Sequence, residues 1–387
     1  MLQSYTRNFW FISLAMFLFM TSFNLILPEL NQFITSLGGR EQKGLIISFF
    51  TISAGLSRPF SGKLSDLIGR KRVMRTGIIL CFVVSLMYPL SFSVWFFLLL
   101  RFLHGFSAGF TPTGATALIT DILPKNKRGQ GMGIWGTFIS LGIGIGQSLG
   151  SFIEQTWGMT DLFMISSITA ALSGILFEFV NETSKSVKPF KLNYLVIKWR
   201  DVIEPTVLPS AIVMFLTAMC SGIIFVLTPD LSGYLGIMNK GFFFGTYVVS
   251  TIIIRLLTGS LSDRIGRRKA LLIAVSMLML SMILIAFATG VTSYIISSVV
   301  FGLATGMSSP TLFAWTADLS PSDRIGTGTG TLFIALEFGI MAGALSTLLT
   351  YHNTFDSMKY GFLFGSGTAL ICIFYLLWHL KYCHSET

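Results

Sequence analysis

Three ionisable residues sit where an otherwise apolar sequence offers them little water. Arg101 and His104 stand three apart in LLLRFLHGFSAG, and Glu337 lies within GTLFIALEFGIMAG. Three-residue spacing puts Arg101 and His104 on one helical face, and the neighbouring guanidinium favours a neutral imidazole. Glu337 falls near the middle of its apolar run. A carboxylate at that depth is costly to keep ionised, which suits a group that takes up and releases a proton. The competing reading of Glu337 is a buried, hydrogen-bonded packing residue. For Arg101 it is a side chain snorkelling to the nearer surface. Glu29 in LPEL and Asp230 in TPDL each follow a proline. They read either as ligands for protons or cationic cargo, or as solvated helix-end acids. Asn24, Gln147 and Trp315 are further candidates for lining a cavity, alongside Arg101 and Glu337. No nucleophile elbow, phosphate loop or metal-ligand spacing accompanies these residues. G-x-G-x-G at 129–133 lacks the strand and lysine that nucleotide binding needs. An enzyme is therefore not expected, nor any cofactor or metal, nor ATP as the energy source.

The elements that must hold these groups are membrane helices. Of 387 residues, 11% are charged and 52% belong to the apolar set, and mean hydropathy is +0.74. That leaves too little polar surface for a water-soluble globule. Apolar runs long enough to cross a bilayer as helices have cores near 9–30, 43–63, 73–91, 95–119, 131–153, 160–180, 207–229, 241–261, 269–288, 292–317, 328–350 and 360–380. The runs neither shorten nor alternate as barrel strands would. The first run lacks a small-x-small cleavage site and reads as a retained helix. With both termini placed in the cytoplasm, about 20 of the 27 Lys and Arg fall on the inner side, the positive-inside bias. That distribution accounts for the net charge of +10 without a nucleic acid. Cys81, Cys220 and Cys372 fall in membrane segments and Cys383 in the tail, where they read as packing residues or a free thiol.

One charged phrase occurs twice. GKLSDLIGRKRV at 62–73 returns as GSLSDRIGRRKA at 259–270. The same shift of 197 residues superposes Arg58 on Arg255, Gly105 on Gly302, Gly109 on Gly306, Asp121 on Asp318, and Gly142 and Gly146 on Gly339 and Gly343. A register that holds from the second helix to the fifth marks a tandem duplication. The expected fold is all-α: twelve transmembrane helices in two pseudo-symmetric six-helix bundles, 1–180 and 207–387, joined by a cytoplasmic linker, 181–206. Two parallel halves are a layout of secondary transporters. Part of the linker, KLNYLVIKWRDVI, has apolar residues at helical spacing. It reads equally as an amphipathic helix on the inner membrane surface or as a plain tether.

These residues resemble the major facilitator superfamily, and within it the twelve-helix drug:H⁺ antiporter type of exporter. The strongest element is the loop pattern G-x-L-x-D-x-x-G-R-[RK]-[RK], matched by Gly62, Asp66, Gly69 and Arg70, and again by Gly259, Asp263, Gly266 and Arg267. Gly62 lacks a side chain where its helix is expected to approach a neighbour. The resemblance implies that Asp66 lies beside the start of the eleventh helix, that Arg70 pairs with Asp121, and that the group forms a cytoplasmic gate. Asp318 is the counterpart acid in the second copy, and Arg58 and Arg255 support the gate. RFLHG resembles the family's R-x-x-[QH]-G, whose Arg is tied to proton coupling or substrate contact. Against the antiporter signature G-x₈-G-x₃-G-P-x₂-G-G, Gly133, Gly142, Gly146 and Gly150 match. Gln147 replaces the proline and Ser151 the last glycine. RFLHG and RGQGMG also resemble an exporter subgroup that includes opine-metallophore and sugar-efflux proteins. The implied protein is a monomeric, proton-coupled exporter of a small molecule in the bacterial inner membrane. The alternative is an uptake symporter or facilitator for a small, anionic solute such as a sugar acid. A receptor or scaffold of the same fold would have no use for two intact gating phrases.

Overall fold

The computed structural model describes residues 5–123, 128–184, 187–198, 202–258, 261–321 and 324–382; side chains at 128–130, 256–258, 263 and 325 are not described. Among the described residues there are twelve long helices and no strand. They are α1 (Arg7–Ile26), α2 (Lys43–Ile68), α3 (Arg70–Met87), α4 (Val94–Ile122), α5 (Arg128–Trp157) and α6 (Met159–Glu178), then α7 (Leu208–Tyr234), α8 (Phe242–Thr258), α9 (Arg267–Ala286), α10 (Val291–Leu319), α11 (Ile325–Thr350) and α12 (Phe355–Tyr382). Ten are long and apolar enough to cross a membrane. The two that fall short are α2, which carries Lys43, Arg58, Lys63 and Asp66, and α8, whose apolar part is the shorter Phe242–Arg255.

The chain forms two compact units. One comprises Met1–Gly38 and Phe49–Asp201, the other Gly39–Ser48 and Val202–Thr387. The two are built alike. In the first, α1 packs on α5 and α6, and α3 on α4 and α6; in the second, α7 packs on α11 and α12, and α9 on α10 and α12. The sequence repeat explains this correspondence atom by atom. A Cβ on Gly105 would lie 2.1 Å from the carbonyl oxygen of Phe50, and one on Gly302 would lie 2.3 Å from that of Tyr247, 197 residues on. Side-chain-free positions let the backbones touch, which is how membrane helices gain dispersion energy without a hydrophobic drive between them.

The core of the first unit gathers Phe9, Ile12, Phe19, Met74, Leu118 and Phe177, all 1% exposed or less. Outward positions such as Ile79, Val83, Leu99 and Ile168 are between 41% and 57% exposed. An apolar outer face of this kind is the surface a bilayer covers. Among its described residues the linker forms no amphipathic helix. Leu192–Leu195 is a 3-10 turn flanked by extended chain, and a second 3-10 turn, Pro205–Val207, leads into α7. Pro189 supplies no N–H and disfavours helix at Lys188. The backbone groups of the linker are taken by the first unit instead: Lys188 N–H donates to Leu67 O at 2.9 Å, and Lys63 Nζ donates to Val196 O.

Candidate functional site

The gating phrase is organised at the break between α2 and α3. Gly69 holds φ at +103° and Gly266, in the second unit, at +89°. That left-handed turn suits glycine and restarts the helix at once with Arg70 or Arg267. Arg70 then lies between two carboxylates: Nη1 pairs with Asp66 one turn back, and Nε approaches Asp121 Oδ2 at 3.4 Å. Arg267 repeats the second contact, with Nε 2.9 Å from Asp318 Oδ2. The same guanidinium donates to Ser65 in the first copy and to Ser262 in the second. Asp66 itself is 71% exposed. Among the described residues, a Cβ on Gly62 would meet nothing within 4 Å. Gly259 and the Asp263 side chain lie outside the described residues.

A carboxylate from outside the gating phrase completes this junction. Gly69 is the N-cap of α3 and has no side chain to offer. Glu182, from the linker, accepts from the backbone N–H of Arg70 at 3.1 Å and of Lys71 at 2.8 Å. It thus satisfies two of the donors that a helix start leaves open, and sets a negative charge at the positive end of the helix dipole. Thr183 Oγ1 donates to Asp121 Oδ2 at 2.7 Å, so the linker touches both sides of the Arg70 network.

Arg101 does not snorkel. It is 2% exposed, its guanidinium lies 4.5 Å from the centre of the Phe50 ring, and Nη1 donates to Tyr88 Oη at 3.3 Å. Tyr88 Oη is 2.9 Å from His104 Nδ1, and His104 Nε2 is 3.3 Å from Cys81 Sγ. Arg101 and His104 therefore meet through Tyr88, at the meeting of α3, α4 and the turn after α3. Two cavity candidates also pair with each other, Gln147 Nε2 donating to Asn24 Oδ1 at 2.9 Å. The glycine stripe of α5 makes this possible. Cβ atoms on Gly146 and Gly150 would lie 2.7 and 1.9 Å from the carbonyl oxygens of Thr21 and Leu25, so α5 rides directly on α1. Glu29 is fully buried and accepts from Ser151 Oγ at 2.6 Å. Ser151 stands where the antiporter signature has glycine, so that departure supplies a hydroxyl to an acid.

In the second unit, Glu337 lies midway along α11 and is 7% exposed. Gly339 and Gly343 press α11 against the backbone of α7 at Phe215 and Met219. Gly222 of α7 packs in turn on the α11 backbone at Ile340 and Ala344, so the two helices touch along the stretch that carries Glu337. Asp230 is paired rather than solvated: Lys43 Nζ contacts its carboxylate, and Tyr351 Oη donates to it at 2.6 Å. Burial and the Asp230 charge push the Tyr351 phenol above its ordinary value of 10.0. Trp315 is buried against the edge of His379, with ring centres 5.5 Å apart. Cys81, Cys220 and Cys372 are buried free thiols, and among the described residues no three His, Cys, Asp or Glu side chains converge as a metal site would require.

The sequence profile of the Major Facilitator Superfamily matches residues 12–344 and 210–382. The multi-drug resistance efflux pump PmrA of Streptococcus pneumoniae serotype 4 (strain ATCC BAA-334 / TIGR4) is 28% identical over 324 residues, covering 80% of each chain. The multidrug resistance protein MdtG of Klebsiella pneumoniae (strain 342) is 27% identical over 334 residues, covering 81% of this chain and 80% of that one. Among solved structures, the human organic anion transporter MFSD10 (TETRAN) superposes with a TM-score of 0.72 at 21% identity, covering 96% of this chain and 99% of its own. The peptide transporter POT in complex with sulfate superposes at 0.79 with 13% identity, covering 97% and 94%. The match spans the repeat, both copies of the gating phrase and both units. The chain belongs to the Major Facilitator Superfamily and is a multi-span membrane transporter, not an enzyme.

Proposed function

We propose that this protein is a monomeric, proton-coupled exporter of small organic molecules, working by alternating access in a bacterial cytoplasmic membrane. The observation that carries the coupling is Glu337: a nearly buried carboxylate midway along α11. Proton binding and release at a buried acid in a membrane helix can bias a conformational equilibrium. The likeness to PmrA and MdtG, whose names are those of multidrug efflux pumps, supports export and a broad range of cargo. In this reading the Asp66–Arg70–Asp121 cluster and its second copy serve the cytoplasmic gate. Glu29 and Asp230 hold the outer ends of α1 and α7 through Ser151, Lys43 and Tyr351. Asn24, Gln147 and Trp315 shape the surroundings of the cargo path.

The test is purified protein in proteoliposomes, with an imposed pH gradient and a panel of drugs and lipophilic dye cations. Glu337→Gln keeps the shape and hydrogen-bonding capacity of a protonated Glu. It should retain cargo exchange across the membrane and lose accumulation driven by the pH gradient. Gradient-driven accumulation at the wild-type level in the folded variant would remove Glu337 from the coupling step.

A further inference from the structure

Five buried side chains of the first unit, Arg101, Tyr88, His104, Cys81 and Ser22, form one hydrogen-bonded chain with a fixed direction. Arginine has donors only, so in the Arg101–Tyr88 contact the phenol oxygen is the acceptor. The O–H of Tyr88 is then free to donate. Tyr88 is fully buried, and a buried hydroxyl without an acceptor costs free energy. The acceptor the structure offers is His104 Nδ1 at 2.9 Å. Nδ1 therefore carries no hydrogen, and the imidazole proton sits on Nε2, facing Cys81 Sγ at 3.3 Å. The thiol hydrogen passes on toward Ser22 Oγ, 3.6 Å away, and Ser22 Oγ–H ends on the backbone carbonyl of Ser166 at 2.7 Å. A donor-only group opens the chain and an acceptor-only group closes it, so every proton between them points one way. The groups around His104 are Phe23 from α1, Phe50 from α2, Cys81 from α3, Tyr88 after α3, and Arg101 on its own helix.

We infer that Tyr88, His104 and Cys81 are positioning residues that hold Arg101 in place, and that His104 is not a proton carrier. An imidazolium would put a hydrogen on Nδ1, against the hydrogen of Tyr88. It would form only if Tyr88 turned its hydrogen away from His104 and left it without that acceptor. The chain draws on α1, α3, α4 and α6, so it also fixes the height of Arg101 against three other helices of its unit.

The direct test needs no cargo. Full-length protein with ¹⁵N-labelled histidine, in lipid at pH 7, should show for His104 a protonated Nε2 and a bare Nδ1. Subtracting the spectrum of His104→Gln identifies its signals among those of the four histidines. An imidazolium or an Nδ1–H form in the wild type overturns the inference. In folded Tyr88→Phe the donor to Nδ1 is gone, so an Nδ1–H population should emerge; an unchanged spectrum also overturns it. The flux arm rests on the proton-coupled reading above and is read separately. His104→Gln offers Tyr88 an acceptor and cannot carry a proton, whereas His104→Leu offers none. Accumulation of ethidium driven by a pH gradient should fall roughly tenfold more in His104→Leu than in His104→Gln, as expected for a broken buried network. Exchange that survives in His104→Gln while accumulation vanishes would make His104 a carrier and overturn the assignment. If wild-type protein accumulates no probe at any gradient, the coupling proposal fails while the spectra still decide the chain.

Discussion

Replacing Glu182 by alanine should loosen the α2–α3 junction by an amount that its contacts fix in advance. The carboxylate accepts from two backbone N–H groups at the start of α3, at 3.1 and 2.8 Å, where the N-cap residue is a glycine. Loss of a side-chain cap costs about 0.5–2 kcal/mol. Loss of a negative charge at a helix N-terminus costs about 0.3–1 kcal/mol. Glu182→Ala should therefore lose about 1–3 kcal/mol, and Glu182→Gln, which keeps one of the two accepting oxygens and loses the charge, somewhat less, about 0.5–2 kcal/mol. For a unit of this size 1 kcal/mol corresponds to roughly 2–4 °C, which predicts a fall of about 2–12 °C for the alanine variant. The assay is thermal unfolding of purified protein in detergent, paired with limited proteolysis of the linker at 181–198. Both readouts should rank wild type, Gln and Ala in that order. If Glu182→Ala melts within about 1 °C of wild type and its linker is cut no faster, the carboxylate does not cap α3 and the reasoning fails.

Glycines of α5 offer a paired test. Gly146→Ala forces a Cβ to within 2.7 Å of Thr21 O and should cost about 1–3 kcal/mol in thermal unfolding. Gly136→Ala, where nothing lies within 4 Å, should be neutral or gain up to about 1 kcal/mol from helix propensity; equal losses would refute the α1–α5 contact. Tyr351 gives a pH prediction. Its folded value is raised above 10.0, so its share of stability is complete below the unfolded value and is lost as pH rises through the folded one. Tyr351→Phe should remove that alkaline loss, and subtracting its ultraviolet titration from that of the wild type should show a phenolate forming late. A Tyr351 that ionises together with the exposed tyrosines would contradict its burial beside Asp230.

Periodicity and repeats made most of the fold legible, because a run of apolar residues and a 197-residue register are written in the chain directly. The Arg70–Asp121 and Arg267–Asp318 pairs were legible through family resemblance. The partners that shape the sites were not. Tyr88 lies on a 3-10 turn after α3 and looks like an interfacial aromatic. Cys81 and Ser22 look like packing residues. Their contact with His104, direct or one bond removed, depends on how α1, α3 and α4 are rotated, which spacing within one helix cannot fix. Glu182 reaches Arg70 across 112 positions of sequence. A glycine at the N-cap of α3 was the available signal, since it leaves a helix start needing an acceptor from elsewhere. Apolar spacing misled in the linker: its backbone is bound by Lys63 and Leu67, and helical periodicity says nothing about such partners.

The repeat also separates two kinds of residue. Shifting Gly105, Gly142, Arg70 and Asp121 by 197 positions gives Gly302, Gly339, Arg267 and Asp318, so backbone contacts and gate pairs are kept in both units. Shifting the Arg101 chain gives something else: Arg101 falls on Ser298, His104 on Phe301, Tyr88 on Ile285 and Cys81 on Leu278. Read in the other direction, Glu337 falls on Ser140. A scaffold built twice needs the same close contacts twice, and a gate phrase at each α2–α3-type junction obeys the same geometry. A buried ion has no such need. Each one costs several kcal/mol in a low-dielectric interior, so duplicating it would add cost without adding a second task. The cation held by hydrogen bonds in one unit and the acid midway along α11 in the other are thus among the buried ions that symmetry does not explain. Work done by charge in this transporter is to be sought at those two positions.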